Sequence, residues 1–157
     1  MSVDKMKKQE SSRPDACVAE RDARQARGMQ WAKDCFGDAL AIVPQERASR
    51  FLEEAIELSQ AAGLDRAAAM KLVEYVYGRP VGDVGQEVGG TQVALLILCE
   101  HLGVSAGAEE RREFERVLGL SPEHMRKRQE YKASMGVGSS CGPLGASSSQ
   151  PAAGASE

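Results

Sequence analysis

The sequence predicts an all-α chain, a compact bundle of about five to six helices with disordered termini. Three observations carry that expectation. Through the middle of the chain apolar residues recur three and four positions apart, the spacing of one helix face. No run of alternating apolar and polar residues is long enough to build a sheet. Aromatic residues make up only 4% of a chain that is 42% apolar, so the core must be aliphatic, as suits packed helices.

The elements follow in order. Asp15 can cap a first helix over residues 15–36, with Trp31 near its end and Gly37 as its stop. Pro44 and Gly63 bracket a second, in which Ala48, Phe51, Leu52, Ala55, Leu58 and Ala62 share one side. Asp65 caps a third that runs through alanine-rich sequence to Tyr77 and ends at Gly78-Arg79-Pro80. The fourth, over residues 83–102, is apolar on most sides in its second half, which predicts a helix buried at the centre of the bundle. Gly103 closes it. Ser105 caps a fifth helix to Leu118, and Ser121-Pro122-Glu123 opens a sixth with cap and N1 proline in order. The expected organisation is a disordered segment over residues 1–14, one helical domain over 15–133, and a disordered Gly, Ser and Ala-rich tail over 134–157.

Composition narrows the function. A chain of 157 residues suits one domain. Lysine and arginine total 20 against 23 acids, so the basic footprint of a nucleic-acid binder is missing and no specific DNA or RNA binding is expected. The longest apolar run, residues 93–99, falls far short of the roughly 20 residues a membrane span needs. The lysine-dotted N-terminus has no apolar signal core, so the expected location is cytoplasmic, with no membrane partner. Cys17, Cys35, Cys99 and Cys141 are scattered without C-x-x-C spacing and read as thiols. With only His101 and His124 available, a zinc site has almost no ligands, and any metal must be held by carboxylates.

The second helix places Arg50, Glu53, Glu54 and Glu57 within one stripe, opposite Phe51, Leu52 and Ala55. Like charges at this spacing need either free solvent or a cation, and an ordinary solvated face satisfies the first. At the start of the fourth helix Asp83 and Glu87 stand one turn apart, and their stripe continues through Gly90 and Ala94. Adjacent Gly89 and Gly90 suggest close approach of another backbone or a ligand, since each glycine costs a helix about 0.5–1 kcal/mol relative to alanine. Two helices that each present acids at this spacing can form an all-oxygen cage suited to Mg²⁺, with Mn²⁺ able to substitute. Such a cage serves phosphate chemistry, and the absence of a G-x-x-x-x-G-K-[ST] loop excludes a P-loop enzyme.

Over residues 31–132 the chain resembles the all-α nucleoside triphosphate pyrophosphohydrolases of the MazG-like type, especially the short branch common in phages and prophages. The carriers are Trp31-Ala32-Lys33-Asp34-Cys35-Phe36-Gly37, the E-E-x-x-E of Glu53, Glu54 and Glu57, Gly78-Arg79-Pro80-Val81-Gly82-Asp83, and Gln86-Glu87-Val88-Gly89-Gly90. The family pattern pairs E-x-x-E on one helix with E-x-x-D on a later one to hold Mg²⁺ against a triphosphate. Glu54 and Glu57 match the first pair and Glu87 opens the second. Gly90 stands where the pattern has aspartate, and Asp83 is expected to supply the missing carboxylate.

The resemblance implies hydrolysis of a (d)NTP, a purine deoxynucleotide such as dGTP among them, to the monophosphate and pyrophosphate. Glu54, Glu57, Glu87 and Asp83 would be the metal ligands, with Glu53 or Glu57 as base toward the attacking water. Arg50, Arg79, Lys127 and Lys132 are the expected phosphate partners, and Trp31 serves either base stacking or the core. For His101 a packing role is expected. The resemblance also implies a homodimer or homotetramer, and a host-cytoplasmic setting if the chain is phage-encoded. The competing expectation is a catalytically degenerate relative that binds nucleotide or protein without turnover.

Overall fold

The computed structural model describes residues 13–141, with side chains from residue 16. The disorder expected at residues 1–12 and 142–157 lies outside the described residues. Among the described residues the chain is all-helical, without strands. Its helices are α1 (Arg13–Phe36), α2 (Asp38–Ala41), α3 (Pro44–Ala61), α4 (Arg66–Tyr77), α5 (Val84–Leu102), α6 (Ala106–Leu118) and α7 (Pro122–Ser134). No single helix among them is long and apolar enough to cross a membrane.

Local chemistry sets most boundaries. Asp65, Asp83, Ser105 and Ser121 are N-caps, each accepting a hydrogen bond from the backbone N–H three residues on. Each thereby satisfies one of the donors that a helix start leaves unpaired. Gly103 ends α5 in the left-handed conformation at φ 68°. Two starts differ from expectation. Asp15 lies inside α1, which begins at Arg13. Gly37, at φ 82°, both stops α1 and opens the short α2, a four-residue turn that periodicity cannot register.

The contacts divide the chain into two compact units. The first holds α1, α2, the opening residues of α3, and α7. Ala32, Cys35 and Phe36 occupy positions i, i+3 and i+4 of α1 and bury with Leu40 and Ala41 of α2. Trp31, Met125 from α7 and Cys141 pack against this cluster, and Trp31 meets Phe36 edge-on with centroids 5.8 Å apart.

A buried carboxylate closes the unit. Glu46 is 3% exposed. Its Oε1 accepts from Gln129 Nε2 at 2.9 Å and its Oε2 from the Ser139 N–H at 3.0 Å. Gln129 Nε2 also donates to the Ser139 carbonyl at 2.7 Å, and the Cys141 N–H donates to Glu130 Oε1 at 2.6 Å. Residues 135–141, which composition assigns to the tail, are therefore a strap laid back over α7.

The second unit, Arg47–Gly119, holds the rest of α3 with α4, α5 and α6, and α5 packs against α6. No residue in it is buried. This corrects the expectation for the fourth helix: Val88, Val93, Leu96 and Ile97 of α5 are each more than half exposed. The apolar pattern predicts cover from the same chain, and the structure does not supply it. Between α3 and α4 runs an apolar groove of about 430 Å³, lined by Leu52, Ala55, Ile56, Ala69, Met70 and Val73 among others.

Candidate functional site

The acid stripe forms as its spacing predicts. Along α3, Arg50 Nη1 donates to Glu53 Oε2 at 2.5 Å, in a pair whose side chains are 19% and 25% exposed. Glu53 is thus better covered than the apolar Phe51 (57% exposed) on the other side of the helix. Glu54 and Glu57 are exposed. No hydrogen bond or ion pair is made by Glu57 among the described residues. Glu54 has a cation within electrostatic reach that the sequence did not single out, Arg116 on α6. The Arg116 guanidinium is held above its ordinary value first by its hydrogen bonds to Glu113, at 2.7 and 2.5 Å, then by the Glu113 charge, with Glu54 adding in the same direction.

At the other acidic position, Asp83 is the residue before α5 rather than a member of its first turn. Its Oδ1 accepts the Gln86 N–H at 2.9 Å, so one carboxylate oxygen is committed to capping. Glu87 folds back toward the helix start, where a Cβ on Gly82 would collide with its carboxylate. A glycine at 82 is what lets the Glu87 carboxylate lie there. At Gly89 and Gly90 nothing approaches within 4 Å of where a Cβ would stand. The close neighbour that the two glycines suggest is not supplied by this chain.

The four expected ligands are therefore not gathered. Among the described residues no three or more His, Cys, Asp or Glu side chains converge as a metal site. Glu54, Glu57, Asp83 and Glu87 do not form a ready-made cage within one chain, so no catalytic step is assigned to an ion held there.

The expected substrate partners are distributed. Arg79 sits over the Tyr75 ring, 5.2 Å from its centroid, a cation–π contact at the end of α4. Lys127 is paired with Glu123 at 2.8 Å on the exposed face of α7. Their hydrogen bond draws the Lys127 ammonium above its ordinary value and the Glu123 carboxyl below. Lys132 lies half-buried on the same helix. Trp31 packs on the core of the first unit, its Nε1 buried without a hydrogen-bond partner. Arg50, Arg79 and the acids belong to the second unit, and Trp31, Lys127 and Lys132 to the first.

Set beside known proteins, the chain matches no family model. No curated protein and no solved structure matches it either.

Proposed function

We propose that this chain is a nucleoside triphosphate pyrophosphohydrolase of the MazG-like type, converting a (d)NTP such as dGTP to the monophosphate and pyrophosphate. The observation that carries the reading is the unequal treatment of the acids on α3. Glu53 is engaged by Arg50, whereas Glu57, one turn on, has no partner among the described residues. A carboxylate already held by an arginine is committed in position, whereas an exposed one can turn toward a water, which favours Glu57 over Glu53 as acceptor of its proton. Arg50 then acts by holding Glu53, and Arg79 is the cation at the far end of α4 available to a phosphate.

Mg²⁺ enters this reading through Glu54, Glu57, Glu87 and the carboxylate oxygen of Asp83 that capping leaves uncommitted, in an assembly of two or four copies. The support for assembly is the exposure of Leu96, Ile97 and Val93 on α5 together with the apolar groove between α3 and α4. A soluble chain rarely leaves such faces uncovered.

Gly90 favours a second reading, a binding module without turnover, because it removes a carboxylate and leaves open space in its place. One experiment separates the two. Pyrophosphate release is measured over a panel of NTPs and dNTPs with Mg²⁺, Mn²⁺ or EDTA, for wild type and Glu54→Gln. Metal-dependent turnover that Glu54→Gln abolishes is the expected result. A silent panel from folded protein overturns the enzyme, and nucleotide-dependent thermal stabilisation in that silent sample would assign the binding module.

A further inference from the structure

Two of the four cysteines share one hydrophobic cluster although they are remote in sequence. Cys35, 1% exposed, is at the centre of the first unit's core, and Cys141, at the end of the strap, packs against that same core. The strap is positioned by the Glu46 and Gln129 bonds to Ser139 and by the Glu130 bond to the Cys141 N–H. These bonds fix the backbone on both sides of residue 140, so the Cys141 side chain is delivered to the core. Cys17 and Cys99 have no place in the cluster.

We propose that Cys35 and Cys141 form a redox latch: oxidation by a peroxide joins them in a disulfide that fastens the strap to α1. The Cys141 thiol is the more accessible and reacts first. Its sulfur attacks one oxygen of hydrogen peroxide, the O–O bond breaks, and a sulfenic acid and one water result. The Cys35 sulfur then displaces the hydroxyl from Cys141, its own proton leaving with that hydroxyl as a second water. Two thiols are oxidised, one peroxide is reduced, and a thiol reductant reverses the step. This order suits the environment of Cys35, whose thiol burial holds above its ordinary value, with Asp34 adding to that shift and Arg126 opposing it. A buried protonated thiol is a poor first nucleophile and a protected second one.

The latch closes a loop of roughly a hundred residues, so it restricts the unfolded chain and raises the unfolding temperature of the oxidised protein. The test treats the folded full chain with hydrogen peroxide, caps remaining thiols with iodoacetamide, and maps the digest by mass spectrometry beside a thermal melt. The expected result is a peptide pair linking Cys35 to Cys141 that dithiothreitol dissolves, with Cys17 and Cys99 alkylated. The melting temperature should rise on oxidation of wild type but not of Cys141→Ser. Any of three outcomes overturns the latch: Cys141 carried to sulfinic or sulfonic acid while Cys35 stays a thiol, Cys141 linked to a different cysteine or a second chain, or a linked pair with no change in melting.

Discussion

Glu46 has no role in the candidate site, yet its carboxylate holds two segments that are 83 and 93 positions away in sequence. Replacing it with alanine leaves the Ser139 N–H without its acceptor and removes one of the two bonds of Gln129 Nε2. Glu46→Ala should therefore lower stability by about 1–3 kcal/mol, read as a lower urea midpoint at unchanged slope. Nothing in the sequence marks this residue. An acid in the first turn of a helix is the ordinary complement to the helix dipole, and its burial depends on α7 and the strap, which local reading cannot place. Cys35 gives a second expectation at this scale. Its thiol titrates higher in the folded chain than in the unfolded one, so the folded state keeps a proton that the unfolded state loses. Stability should then fall as pH rises past the ordinary thiol value of about 8.5. In Cys35→Ala that alkaline loss should shrink, at the expense of lower stability at every pH. Parallel urea titrations across that pH range check both statements.

The helices were legible because their ends are written locally. Asp65, Ser105 and Ser121 cap α4, α6 and α7 as their sequence contexts imply. Asp65→Ala should lower stability by about 1 kcal/mol, since the Ala68 N–H loses its acceptor. Asp83 is where element and site meet, because one residue is asked both to cap α5 and to offer a carboxylate. The two roles separate experimentally. Asparagine caps a helix as well as aspartate does but carries no charge. Asp83→Asn should retain wild-type helicity by circular dichroism and lose metal-dependent activity; unchanged turnover in that variant removes Asp83 from the ligand set. What periodicity missed is α2, too short to show a period, and the first turn of α1 ahead of Asp15.

Across the whole molecule the burial is uneven: the buried residues among those described lie in the first unit. The apolar second half of α5 predicts the inside of a bundle, and the structure leaves that half without a buried residue. A sequence records that a face wants cover, but not whether the cover comes from the same chain. If a second copy supplies it, light scattering should give a dimer or larger species at micromolar concentration. Leu96→Glu, which puts a charge on that face, should shift the protein toward monomer and reduce turnover together. A wild-type chain that stays monomeric at those concentrations defeats the assembly reading.

The Glu46–Gln129 bond has one more consequence, in time rather than in energy. Its two ends leave the ribosome 83 residues apart, which at roughly 5–20 residues per second is an interval of about 4–17 s. For that interval the Ala32, Cys35 and Phe36 face of α1 is synthesised but lacks the α7 residues that cover it. A nascent chain stalled short of Met125 should then be a substrate for holding chaperones, and its release should coincide with emergence of α7.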